Sequence, residues 1–411
     1  MREKFVVLRE TSVPDATRDV FGGLDRSPWE GRGPLAGGFR DLSFPSRPSL
    51  PRVTVETLDR RDLPALTSEP GVRAVAPSIP LRLIEPVSRE AAPSATGPTW
   101  GVRAVGADTS PFTGQGAVVA VLDTGIDATH PAFAGVDLVQ RDFTGEGDGD
   151  SNGHGTHCAG TVFGRDVEGQ RIGVARGVTR ALIGKVLGQQ GGSSEGIASA
   201  MIWAVENGAH VISMSLGIDF PGLVRRLTDG GYPTELATSL ALEGYRANVR
   251  MFEALAVTAQ YFGGAPRPVL LVAAAGNESR RAENPDWEIS VAPPAVSTGF
   301  LSVAALGEPP AGGSGLRVAP FSNTNANVAA PGVNVTSAQA GGGLVAYSGT
   351  SMATPHVAGV AALWVEKLTK EGQLSLLTLS VRVPGSASRT ALTQGTDPAD
   401  VGLGLVRAPE G

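Results

Sequence analysis

Cysteine is almost absent from this chain. Its 411 residues include one, Cys158, so no intrachain disulfide can form. That fits a reducing compartment without excluding export, and it leaves stability to a packed core. Histidine is scarce as well: His130, His154, His157, His210 and His356 are the five present. Two of the five fall in a single HGTH tetrad, which marks that tetrad for attention. Long apolar runs are missing, and no stretch approaches the roughly 18 residues of a membrane span. The opening MREKFVVLRETS has an apolar run, Phe5 to Leu8, too short for the core of a secretory leader. The expectation is a cytoplasmic protein with no membrane partner, or a secreted one if a leader has been removed. Excess positive charge is lacking too: the formal net charge is −6, which gives no electrostatic case for a nucleic-acid partner.

What is present suits a soluble globular protein, with 41% hydrophobic and 18% charged residues. The 55 glycines and 30 prolines imply many tight turns between short elements. The length allows one large domain plus a small one. In the first 95 residues, FVVLRE (5–10) and RVTVETL (52–58) read as strands. RRDLPALTSEP (60–70) reads as a short helix, and VRAVAP (72–77) and PLRLIEP (80–86) as further strands. The stretch 11–51, rich in Gly, Pro and Ser, reads as loop or disorder, and 87–100 as a linker. From Gly101 onward, short Val/Leu/Ile runs recur at 117–123, 181–187, 210–216, 269–275 and 299–306. Such runs suit strands buried on both faces of a parallel sheet. Residues 195–208 and 234–262 have helical spacing, the latter amphipathic. The fold class is therefore α/β, in which sites lie at the carboxyl ends of strands.

Three stretches carry chemistry: VAVLDTGIDATHP (119–131), NGHGTHCAG (152–160) and YSGTSMATPHVAGVAAL (347–363). They offer Asp123 at a strand end and His154 and Ser351 at helix starts. A serine hydroxyl needs a base, and the base needs an orienting acceptor. Gly125 allows a sharp turn off the strand, and Gly349 a close backbone approach to Ser351. A serine at a helix N-terminus leaves its own N–H free for an oxyanion. Pro355 is expected in the first turn of that helix, where a missing N–H is tolerated.

In that order, and with AGN at 275–277 between the second and third, these motifs resemble the subtilisin-like serine proteases (subtilases) over about residues 100–408. Cys158 after HGTH resembles the proteinase K-like, thiol-containing branch. The resemblance implies a three-layer fold with a mostly parallel central sheet, covering 96–411, with an enlarged helical segment at about 219–265. It implies Asp123, His154 and Ser351 as the triad, and Asn277 with Ser351 as the oxyanion hole. Ser215, Leu216 and Gly217 would line the first specificity pocket, and Gly191, Gly192 and Ser193 the edge that pairs with extended substrate. Ungapped spacing from Asn277 puts Glu288 at the pocket floor, where it would favour Lys or Arg before the cleaved bond.

Residues 1–95 resemble the small α+β inhibitor-type prodomain of such enzymes, with a tail over about 84–98 threaded through the cleft until self-cleavage. A permanent regulatory domain is the rival reading. The partners expected are protein or peptide substrates and the chain's own propeptide as inhibitor, and a monomer is expected. No cofactor is required. Calcium as a structural ion is a candidate on Asp142, Glu146, Asp148 and Asp150, four acids in one Gly-rich loop. The Asp that often serves calcium after His-Pro in this family is Ala132 here. His157 and His356 read as packing residues. Alternatives to an endopeptidase are a transpeptidase or macrocyclase on the same triad, and a peptide-binding pseudoprotease.

Overall fold

The computed structural model describes residues 2–10, 50–262, 268–309 and 313–411. The irregular stretch expected over 11–51 therefore lies almost wholly outside the described residues.

β-Branched residues favour pleated strands, and the N-terminal runs form a three-stranded antiparallel sheet. β1 (Arg2–Arg9) lies between β2 (Arg52–Asp59) and β3 (Val72–Pro77). Four successive side chains, Phe5 to Leu8, are buried, so β1 is covered on both faces. The helix expected over 60–70 is shorter. A 3-10 turn at Arg60–Asp62 leads into α1 (Leu63–Thr67), and Pro70 bars the residue before it from helical backbone. PLRLIEP is strand only as β4 (Pro80–Leu83). The expected linker is not free: β5 (Ser88–Ala91) and β6 (Gly97–Pro98) are paired strands, and α2 (Trp100–Ala104) follows them.

The larger layer is an eight-stranded sheet. Its strands are β7 (Val118–Asp123), β8 (Asp137–Asp142), β10 (Arg180–Lys185), β12 (Val211–Met214), β14 (Leu270–Ala274), β15 (Phe300–Gly307), β16 (Arg317–Val318) and β17 (Val328–Pro331). The order is β16-β15-β14-β12-β7-β10-β8, with β17 also on β15, and β16 alone among these pairs antiparallel. The five apolar runs seen in the sequence all form strands of this sheet, and buried β7 and β14 lie at its centre. β8 escaped notice because it is an edge strand, half exposed and carrying Gln140 and Arg141.

Helices cover both faces. α3 (His154–Phe163) packs with α7 (Thr350–Lys370) on one side, and α4 (Ser194–Glu206) with α6 (Thr234–Phe262) on the other. This is the three-layer α/β arrangement. α8 (Leu376–Gly385) and α9 (Pro398–Val401) close the chain against α7 and β15. Among the described residues no helix is long and apolar enough to cross a membrane.

The long α6 has a use that its amphipathic spacing did not reveal. With α4 it is the platform on which the N-terminal sheet sits. The Asn248 side-chain amide donates to Pro77 O at 2.9 Å, and Arg60 pairs with Glu243 at 2.9 Å. Gly244 leaves room for Pro77 and Ile79: a Cβ there would lie 3.1 Å from Ile79 Cδ1.

Candidate active site

The site is built at the carboxyl end of β7. The strand's last residue, Asp123, accepts from His154 Nδ1 at 2.7 Å and from the Thr124 N–H at 2.7 Å, both on Oδ1. His154 is the first residue of α3, and the acids just before it hold that helix start. Asp150 Oδ1 accepts from the Gly153 N–H, and Oδ2 from the N–H and hydroxyl of Thr156. Gly125 is obligatory at the adjoining turn: its φ is +108°, and a Cβ would lie 2.1 Å from Gly149 O. His154 is 1% exposed. Such burial alone would lower its pKa, but the Asp123 carboxylate against Nδ1 overrides that and raises it well above 6.5.

Ser351 is the second residue of α7, where the N–H has no partner inside the helix. The residue before it fixes Asn277. The N–H and hydroxyl of Thr350 both donate to Asn277 Oδ1 at 2.9 Å. With its oxygen so occupied, the Asn277 amide can only present Nδ2 outward. Gly349 permits this approach, since a Cβ there would sit 3.1 Å from that nitrogen. Thr350 was not singled out in the sequence, although it is the T of GTS.

Pro355 lies in the second turn of α7, not the first, and the correction has consequences. Its missing N–H should have bonded the carbonyl of Ser351, four residues back. That buried carbonyl finds other donors, the Ser215 hydroxyl at 3.2 Å and the Cys158 thiol at 3.4 Å. Burial pushes the thiol's pKa up, so Cys158 stays a neutral donor. Its sulfur is 3.7 Å from His154 Nδ1.

The cleft is filled by the chain itself. β4 runs antiparallel between β11 (Gly192–Ser193) and β13 (Leu216–Ile218). The register sets Leu81 opposite Gly192, Leu83 opposite Leu216 and Arg82 opposite Gly217. Gly192, Leu216 and Gly217, among the residues expected to hold extended substrate, therefore pair with residues 81–83, and a Cβ on Gly191 would lie 2.7 Å from Leu81 O. Further along, the Ser351 hydroxyl donates to Ile84 O at 2.9 Å, and Asn277 Nδ2 donates to Glu85 O at 3.0 Å. His154 Nε2 bonds no described residue. Past Pro86, the Val87 N–H donates to Ser348 O at 2.7 Å. β5 then pairs with β19 (Leu344–Ser348), itself paired with β18 (Val335–Ala338). Residues 80–91 form a continuous strap, anchored by strand pairing on both sides of Ser351.

Two expectations do not survive. Glu288 is no pocket floor. It lies exposed outside the groove, paired with Arg281 at 3.0 Å. Arg281 also binds Asp400 and Ser322 O, so the loop after Asn277 turns away from the cleft and ungapped spacing fails there. The acidic loop does not fit a calcium site. Asp142 accepts from the N–H groups of Thr144 and Gly147, and Asp150 caps α3. Glu146 takes the Gln189 N–H and faces Lys185 Nζ at 3.4 Å. A lysine and committed oxygens are the wrong donor set for a hard cation. Among the described residues, the ligand-type atoms that converge are those of Asp123, His154 and Cys158, already engaged as above. β9 (Gln170–Arg171) pairs with β6, and α5 (Phe220–Asp229) reaches the rim of the cleft through Arg226.

Residues 114–394 match the family model of the subtilase family. The chain belongs to that family. It is 34% identical over 315 residues to a thermostable alkaline protease of Halalkalibacterium halodurans, covering 74% of this chain and 70% of that protein. It is 31% identical over 349 residues to a cuticle-degrading protease of Metarhizium anisopliae, covering 82% of this chain and 76% of that protein. An intracellular serine protease of Paenibacillus polymyxa is 34% identical over 261 residues, covering 61% and 67% respectively.

Proposed function

We propose that this subtilase is a serine endopeptidase held latent by its own N-terminal region. In this reading Ser351 Oγ attacks the carbonyl carbon of an extended peptide while His154 Nε2 takes the hydroxyl proton. Asp123 fixes the imidazole tautomer and offsets its positive charge. The oxyanion is met by the Ser351 N–H and Asn277 Nδ2. His154 then gives the proton to the departing amine, leaving an acyl-enzyme on Ser351 that water hydrolyses. The observation that carries this is the strap: an extended peptide lies across the candidate site with its Ile84 carbonyl 2.9 Å from the nucleophile. Its register makes Ile84–Glu85 the bond offered for cleavage. The N-terminal sheet on α4 and α6, continuous with the strap, supports an inhibitor-type prodomain. The Cys158 thiol, 3.7 Å from His154 Nδ1, supports a place in the proteinase K-like, thiol-containing branch. Subtilases use no cofactor in these steps.

Intact mass of the purified chain beside Ser351→Ala, followed over time with a peptide substrate present, tests the reading. Wild type should cleave the peptide and lose residues 1–84, while Ser351→Ala does neither. Peptide cleavage without mass loss would keep the peptidase and make the strap a lasting, displaceable latch. No cleavage of peptide or strap would overturn the proposal, and joined peptide products would turn it into a transpeptidase.

A further inference from the structure

Resting on the peptidase reading, the strap also shows what the cleft selects. Arg82 lies two residues before Ile84, opposite Gly217, which has no side chain to cover it. Its guanidinium reaches the rim between two carboxylates: Nη1 is 3.5 Å from Asp219 Oδ1 and Nη2 is 3.2 Å from Glu278 Oε1. Neither acid depends on Arg82 for its position. Asp219 caps α5, accepting from the Gly222 N–H at 3.0 Å on the same Oδ1. Glu278 follows Asn277, and its Oε2 accepts from Asn323 Nδ2 at 2.8 Å. Asn323 Oδ1 in turn takes the Glu278 and Ser279 N–H groups, so the loop is held from within. Of the other charged groups lining this groove, Arg226 lies on α5 and Glu85 on the strap itself.

We propose that Asp219 and Glu278 form a specificity subsite that selects a basic side chain two residues before the residue whose carbonyl meets Ser351. A substrate in the strap's register puts its own side chain where Arg82 now lies. A planar guanidinium can face both acids at once, whereas an ammonium is a point charge, so Arg is preferred over Lys. Both pairs are part-exposed and screened by salt, so the preference is modest and salt-sensitive.

The test uses the full chain and quenched peptides that repeat Pro80–Ser88 with Arg, Lys, Ala or Glu in place of Arg82. The expected order of kcat/KM is Arg, Lys, Ala, Glu, with Arg over Ala by about 5- to 10-fold at low salt. The spread narrows in 1 M salt. In the Asp219→Asn/Glu278→Gln variant, where Asn keeps the cap acceptor, Arg over Ala falls to within about 2-fold. Glu278→Lys moves the preference toward Glu. Equal rates for Arg and Ala in wild type, or a spread that persists in the double variant, overturns the subsite. If no peptide is cut, the peptidase reading fails by itself. Affinity of the Arg and Ala peptides for the Ser351→Ala chain then decides the subsite, equal affinity overturning it.

Discussion

On the proposed reading, the latch can be weakened without touching the triad or its oxyanion donors. Leu81 and Ile84 are 2% and 5% exposed, so these two apolar side chains add to the hold of the flanking strand pairs. Truncating both to Ala removes about 2 kcal/mol each of burial. The lower part of the range for buried truncations applies, because the strap can lift into water and leaves no sealed void. Together that is about 4 kcal/mol, or close to a thousandfold in the ratio of closed to open cleft. A fluorophosphonate reacts with Ser351 only when the strap is out, so its labelling rate follows the open fraction. The Leu81→Ala/Ile84→Ala chain should label about 10²- to 10³-fold faster than wild type, on protein that intact mass shows to be full length. The ion pairs of Arg82 and the strands β1–β3 remain, so the variant still folds around its N-terminal sheet. Equal labelling rates on full-length chains would refute the argument, since the strap would then not be what limits access.

Asn277→Ala should lower kcat by about 10²- to 10³-fold with KM little changed, because the amide serves the charged intermediate rather than the bound peptide. Steady-state kinetics on an unstrapped peptide check this, and a KM effect alone would contradict it. The two donors to the Ser351 carbonyl should back each other up. Cys158→Ala or Ser215→Ala alone leaves one donor in place and should cost about 1 kcal/mol or less, while the pair strands a buried acceptor at about 1–3 kcal/mol. Denaturant midpoints for the double-mutant cycle read this coupling, and strict additivity would contradict it. Acid should destabilise the chain early. Burial pushes His157 down to about 3 and His356 to about 4, against 6.5 for a free imidazole. Unfolded chain therefore takes up protons that the folded chain refuses, and stability present above pH 6.5 is lost as pH falls toward 4. Each group contributes a slope of about 1.4 kcal/mol per pH unit over that window. Unfolding free energies between pH 7 and 5, compared with those of His356→Asn, measure it; an unchanged slope in the variant would count against the assignment.

Local demands explain what was legible beforehand. Asp123 could be placed because a buried strand must end somewhere, and DTG says where. His154 and Ser351 could be placed because helix starts carry recognisable glycines. What failed depended on contacts distant in sequence. Arg281 draws in Glu288, Asp400 and Ser322 O, and that cluster bends a loop which counting from Asn277 treated as straight. The acids at 142–150 looked free in sequence, but backbone N–H groups and Lys185 had already claimed oxygens of Asp142, Glu146 and Asp150, which leaves Asp148 too few partners for a cation site. Pro355 looked harmless in a first turn. One turn later it strands a carbonyl, which the Ser215 hydroxyl and the Cys158 thiol meet, a task that local sequence does not announce. The strap's register was invisible because it rests on pairing with Gly192, Leu216 and Ser348, each more than a hundred residues away.

On the proposed reading, the strapped state is inert because of where three hydrogen bonds go. The Ser351 hydroxyl gives its proton to Ile84 O rather than holding it toward His154, so the base is not engaged. Asn277 Nδ2, the donor that should meet the charge developing on the attacked carbonyl, is spent one residue further on at Glu85 O. Electrostatic stabilisation acts only at the atom where charge appears, so a donor displaced by one carbonyl gives the Ile84 bond little help. Pro86 contributes by having no N–H to give and a fixed φ, which carries the chain directly from the Asn277 contact to the Val87 bond with Ser348. The anchors on either side set that spacing, with β4 held by two strands before Ser351 and β5 by β19 after it. Release at either end would let the Ile84 carbonyl turn toward Asn277 and the Ser351 proton toward His154. On this reading the difference between latch and substrate lies in which carbonyl faces the amide and in where the Ser351 proton points.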